Sequence, residues 1–134
     1  MATVKNFEEL RVWQKARLLC QSIFEIITTP EFCKDYKLKD QINGSSGSIM
    51  DNIAEGFGRE GKPEFIQFLS IAHGSACETK SQLYRALDRN YITEVKFKEI
   101  ECLIREICGM LHNFISFLGA SNIQGNKYRF KEKT

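Results

Sequence analysis

A chain of 134 residues has room for one hydrophobic core and too little for two ordinary ones. Its 43% hydrophobic and 27% charged residues are those of a soluble globular protein. Nineteen basic side chains against seventeen acidic ones leave a formal net charge of +2, so a role with nucleic acid must come from a local patch or from several copies adding their charges.

Five cysteines, Cys20, Cys33, Cys77, Cys102 and Cys108, form an odd set with no C-x-x-C pair and no secretory signal ahead of them. That composition points to reduced thiols in a cytoplasm. The opening "MATVKNFEELRVWQ" turns charged and amphipathic at once, and no apolar run approaches the ~20 residues that span a bilayer. The expectation is a cytoplasmic protein with no membrane partner.

The first helical segment is predicted from about Phe7 to Thr28, with Asn6 and Glu9 spaced as a capping box and Pro30 as the stop. Its apolar residues, Val12, Trp13, Ala16, Leu19, Cys20, Ile23, Phe24, Ile26 and Ile27, cover an arc of roughly 160° at 100° per residue. A core-facing helix needs a stripe of only ~100°. The excess predicts a second covering surface, and Val12, Leu19 and Ile26 are its candidates for an oligomer interface.

The second segment contains "QINGSSGSIMDNIAEGFGREG", which can be read as a linker, a phosphate cradle or a helix with a small-residue face. Leu38, Ile42, Ile49, Ile53 and Phe57 recur at spacings of four, seven, four and four, a phase that one helix running straight through the glycines keeps on a single face. This predicts a continuous helix over Gln41 to Phe57. Gly44 and Gly47 cost about 1 kcal/mol each against alanine, so packing must offset them; small side chains at Ser45, Ser46 and Gly47 would let a neighbouring backbone approach. A P-loop is excluded, because no lysine follows the glycines and no strand precedes them. Away from the apolar stripe, Gln41, Ser48, Asn52, Glu55 and Arg59 fall in a narrow band. That band is either a solvated face carrying an i,i+4 ion pair or a polar seam against another helix or subunit.

The third segment opens at Pro63 and runs to about Asn90, with Phe65, Phe68, Leu69, Ala72, Ala76, Leu83 and Leu87 as its core stripe and Ile66, His73, Cys77 and Tyr84 on a smaller flank. The fourth is capped by Thr93 and ended by Gly119. Phe97, Ile100, Leu103, Ile104, Ile107, Met110, Leu111, Phe114, Ile115 and Leu118 fill half its wheel, and Lys98, Glu101, Arg105, His112 and Ser116 the rest.

Little in this pattern supports catalysis. His73 and His112 lack the E-x-x-H spacing of di-iron bundles, no zinc-ligand spacing is visible, and nothing sets a serine beside a histidine as nucleophile and base. The expectation is a non-enzymatic protein with no cofactor and no metal.

"FEELRVWQKA", "QINGSSGSIMDNIAEGFGRE" and "FIQFLSIAHGSACE", taken in order, resemble the signatures of the four-helix-bundle family encoded by intervening sequences in bacterial 23S ribosomal RNA genes, also labelled the S23 ribosomal protein family. The resemblance runs from Phe7 to about Leu118. It implies an all-α subunit, an antiparallel up-down-up-down four-helix bundle over residues 1–119, followed by a basic tail over residues 120–134. Through a likeness to the accessory protein of diversity-generating retroelements, it also implies a bacterial homopentamer that works with a reverse transcriptase and nucleic acid. Family members commonly carry basic residues where this chain has Asn43 and Gly44, so a contact made there is lost.

The basic residues that remain are Lys34, Lys37 and Lys39, then Lys80, Arg85 and Arg89, and finally the tail "NKYRFKEKT". In the tail, Lys127, Arg129, Lys131 and Lys133 interleave with Tyr128 and Phe130, a mixture suited to phosphates and stacked bases, or simply to a solubilising terminus. Two function classes follow. One is a homo-oligomeric RNA- or DNA-binding accessory protein acting through summed basic patches. The other is a protein-interaction scaffold for which nucleic acid is irrelevant. Steep salt dependence of binding separates them.

Overall fold

The computed structural model of the protein describes residues 4–121. Its helices are α1 (Arg11–Ile27), α2 (Tyr36–Gly58), α3 (Lys62–Asp88) and α4 (Glu94–Ala120), with short 3-10 turns at Phe7–Glu9 and Phe32–Lys34. Successive helices pack side by side and α1 closes against α4. The links are short, residues 59–61 between α2 and α3 and residues 89–93 between α3 and α4, so neighbours run antiparallel. This is the expected up-down-up-down bundle. Among the described residues no helix is long and apolar enough to cross a membrane. The tail candidates Lys127, Arg129, Lys131 and Lys133 lie outside the described residues.

The first helix starts later than its periodicity predicts. Glu9 does reach back, its carboxylate accepting from the Asn6 and Lys5 backbone N–H groups at 2.8 and 3.1 Å. That capping arrangement closes the 3-10 turn, however, and not α1. Leu10 is extended, at φ −75° and ψ 124°, and its side chain is buried. Breaking the helix there turns Leu10 into the core and folds Phe7 back onto Trp13, whose ring lies 5.1 Å away edge-on. The gain in buried apolar surface outweighs a turn of continuous helix.

The second helix runs unbroken through Asn43–Ser48, as predicted. Leu38, Ile42, Ile49 and Ile53 are fully buried, and Phe57 packs half-buried against the core with its ring 5.9 Å from that of Phe65. Phe65 in turn meets Phe114 of α4 edge-on at 5.2 Å, so one aromatic row ties three helices together at this end of the bundle. At the opposite end α3 stops in a Schellman turn: Asn90 takes a left-handed conformation (φ 61°), the Asn90 N–H donates to the Leu87 carbonyl and the Tyr91 N–H to that of Ala86.

The small-residue face of α2 is used differently from the expectation. Ser45 and Ser46 are buried, yet a Cβ placed on Gly44 or Gly47 would meet nothing within 4 Å. The close approach is at Gly56, where an added Cβ would sit 2.6 Å from the Cβ of Phe68 on α3. Gly56→Ala is therefore expected to destabilise the fold by ~1–3 kcal/mol through overpacking. Gly44→Ala should be neutral or stabilising by up to about 1 kcal/mol through helix propensity. Urea denaturation followed by circular dichroism checks both, and equal midpoints for the two variants would contradict the assignment.

Candidate nucleic-acid interface

Small polar side chains form the contact between α2 and α3. The Ser45 hydroxyl donates to Gln82 Oε1 at 2.6 Å, and Thr79 Oγ1 lies 2.8 Å from both Ser45 Oγ and the Ser75 carbonyl. One turn along, Ser48 and Ser75 hydroxyls meet at 2.9 Å, and Asn52 Nδ2 donates to the Ser48 carbonyl and hydroxyl at 2.8 and 2.9 Å. Across the other side of α2, the Cys20 thiol donates to the Ser46 carbonyl at 3.3 Å, and burial pushes the Cys20 thiol pKa up. Of the predicted polar band, Ser48 and Asn52 thus belong to a real seam and Gln41 is half-buried, its Oε1 enclosed and without a partner among the described residues. Glu55 and Arg59 instead form the exposed i,i+4 pair at 2.9 Å. Ser45 is expected from sequence only as a small side chain for close packing, and its partners Thr79 and Gln82 carry no signal beyond being polar residues on a face that also holds leucine.

The seam sets α2 against α3 so that the start of one meets the end of the other. Asp35, the N-cap of α2, accepts from the Leu38 N–H at 3.2 Å, from Arg89 Nη1 at 2.7 Å and from the Tyr91 hydroxyl at 2.8 Å. Tyr91 is delivered to this position by the Schellman turn, and its ring stacks on Phe32 at 5.0 Å. These bonds, that from Tyr91 foremost, hold the Asp35 carboxyl below the usual carboxylate range.

Around this clasp the basic residues divide. Lys34 and Lys37 are exposed, and Lys39 lies with its Nζ 5.1 Å over the ring of Tyr36, which is itself 71% exposed. Arg89 shares that end of the bundle through Asp35, and Arg85 is one turn before it on α3. An exposed aromatic ring flanked by cations is the pattern that stacks bases and holds phosphates. Lys80 is elsewhere: its Nζ is 3.3 Å from Glu101 Oε2, and Arg105 grips the other Glu101 oxygen. Glu101, expected on the solvated half of α4, is buried between them, its carboxyl pKa lowered first by Arg105 and then by Lys80. The structure thus ties Arg89 to the start of α2 through Asp35, leaves Arg85 one turn back on α3, and takes Lys80 into an ion-pair network between α3 and α4.

The predicted interface residues need correction. Val12, Leu19 and Ile26 are 0%, 0% and 4% exposed and pack in the core of their own subunit, so they offer no surface to a second copy. What α1 leaves outside is Phe24, 63% exposed, with Leu18 at 48% and the half-buried Trp13 and Cys20. The wheel had the right excess and the wrong edge of it, because the core takes the Val12–Leu19–Ile26 line. His73 and Cys77, one turn apart on α3, lie beside Cys108 of α4, a juxtaposition that cysteine spacing alone did not suggest.

The Asp35 clasp has a signed pH dependence. Its folded carboxyl pKa is below the unfolded value of about 3.9, so its contribution is full above that value and is lost as pH falls through the lowered one. Asp35→Asn should be less stable than the parent at pH 7, and the gap should close as pH is taken below the lowered value. Urea midpoints across pH 2–7 measure it; a gap that stays constant would mean that the charge contributes nothing.

No curated protein matches the chain. A solved structure does: a protein of unknown function from the S23 ribosomal protein family of Bacteroides thetaiotaomicron VPI-5482, with 27% sequence identity and a TM-score of 0.71, covering 80% of this chain and 97% of that one. The family described as 23S rRNA-intervening sequence protein matches residues 8–113, from the 3-10 turn to the last turns of α4. By that match, in a fold shared with a solved relative, this chain belongs to the 23S rRNA-intervening sequence protein family.

Proposed function

We propose that the protein is a non-enzymatic, homo-oligomeric accessory factor that binds single-stranded RNA or DNA through weak basic patches summed over several copies. The observation that carries this reading is the exposed Tyr36 ring among Lys34, Lys37 and Lys39, at the end of the bundle where Arg85 and Arg89 also emerge. Glu31, Asp40 and Asp88 lie in the same stretches of chain, so a single subunit is a poor polyanion binder. Repeating the patch around a ring converts weak contacts into avidity. A pentamer is the assembly that the family resemblance implies, and the uncovered Phe24–Leu18 edge of α1 is the apolar surface suited to it. Light scattering tests the ring, and a monomer mass at micromolar concentration contradicts it. A reverse transcriptase is the protein partner that the same resemblance implies.

Fluorescence anisotropy with a labelled single-stranded RNA, across a salt series, is the direct test. Affinity should fall steeply with salt, as phosphate contacts require. Tyr36→Ala should weaken binding roughly 5- to 100-fold, the range for loss of one stacked base. Deleting residues 126–134 should flatten the salt slope while leaving assembly intact, because lysines and arginines of the tail add phosphate contacts and no base readout. Absence of binding even at low salt would transfer the function to the scaffold reading, in which the Phe24 edge docks another protein.

A further inference from the structure

We propose that His73, Cys77 and Cys108 form a zinc(II)-binding site between α3 and α4. His73 and Cys77 are spaced i,i+4 and so project from one face of α3, while Cys108 comes from the facing side of α4. The His73 Nδ1 and Cys77 Sγ atoms are 3.9 Å apart, and the potential ligand atoms of all three residues lie within 4.8 Å of one another.

These separations are near those of a coordinated set. Zinc bonds of ~2.0–2.1 Å to nitrogen and ~2.3 Å to sulfur place tetrahedral ligand atoms roughly 3.4–3.8 Å apart. Side-chain rotation that draws the widest pair in by about 1 Å completes the geometry, with the helices left where they are. Their separation is held by contacts further along the same groove, Lys80 to Glu101 at 3.3 Å and the Tyr84 and Phe97 rings at 4.7 Å.

The donor set also selects the ion. Two thiolates and one imidazole are soft to borderline ligands, which suit zinc and disfavour magnesium or calcium. Each thiol gives up its proton to solvent as its bond to the metal forms. A dication with two thiolates and a neutral imidazole carries no net charge, which suits a site where His73 and Cys108 are half-buried. Cys77 is exposed and gives the ion its entry path. Three protein ligands leave the fourth tetrahedral position to water or to a group from outside the subunit.

The test uses the full-length protein, reduced and stripped with chelator, and titrated with zinc against a chromophoric competitor. The site predicts one zinc per chain. Cobalt(II) in its place should give a thiolate-to-metal charge-transfer band and intense tetrahedral d–d absorption. Cys77→Ser and Cys108→Ser should each weaken zinc by at least about 10-fold and abolish the charge-transfer pattern of the two-sulfur site, with helix content unchanged by circular dichroism. Cys102→Ser, on an exposed part of α4 outside the cluster, should bind as the parent does. Failure of the reduced parent to bind zinc at one per chain, or zinc binding that survives both cluster substitutions, overturns the site.

Discussion

The hydroxyl of Ser45, held between Gln82 and Thr79, is the contact on which the rest of the bundle depends. Where α2 faces α3 through Ser45, Ser48 and Gly56, small side chains give it little apolar surface with which to choose its position along that neighbour. Buried polar groups supply that choice, since a slip leaves donors and acceptors enclosed without partners at ~1–3 kcal/mol each. One antiparallel register runs through Gly56 against Phe68, Ser48 against Ser75, Ser45 against Thr79 and Asp35 against Arg89. Moving α2 by one turn would break all four.

That register is also what builds the candidate interface. The start of α2 and the end of α3 are far apart in sequence, yet Asp35 meets both Arg89 and Tyr91. The left-handed Asn90 turns the chain so that Tyr91 can reach. The exposed Tyr36 ring, with Lys39 over it, follows directly on this clasp, while Asp35 itself is held in structural bonds to α2 and to the end of α3. Lys80 shows the opposite outcome: the same kind of residue, set one groove away, is neutralised by Glu101. Arg89 is paired as well, with Asp35, so beside the start of α2 the cations without an acidic partner among the described residues are Lys34, Lys37 and Lys39.

Much of the fold was legible because apolar phase survives the glycines: Leu38, Ile42, Ile49 and Ile53 required one helix through Asn43–Ser48, and that helix exists. The start of α1 was not legible, since Leu10 breaks the helix for the sake of tertiary burial that no local pattern encodes. Val12, Leu19 and Ile26 were assigned to the wrong surface because a wheel gives the width of an apolar arc and not which edge the core takes. The hydrogen bonds of Ser45 to Thr79 and Gln82 were not legible, nor was the meeting of His73, Cys77 and Cys108, because pairing across helices depends on register. Tyr36 carries no signal in the sequence, since an aromatic at a helix start is placed inside or outside by the fold, which leaves this one 71% exposed.

A double-mutant cycle between Ser45 and Gln82 tests the claim that this buried bond sets the register. Ser45→Ala and Gln82→Met each remove one partner and leave the other enclosed, whereas the double variant leaves neither. Unfolding free energies from urea denaturation should show the double variant losing less than the two single losses combined, by at least ~0.5 kcal/mol. Losses that add within ~0.3 kcal/mol would show that the two side chains do not act together, and the register would then have to be set elsewhere.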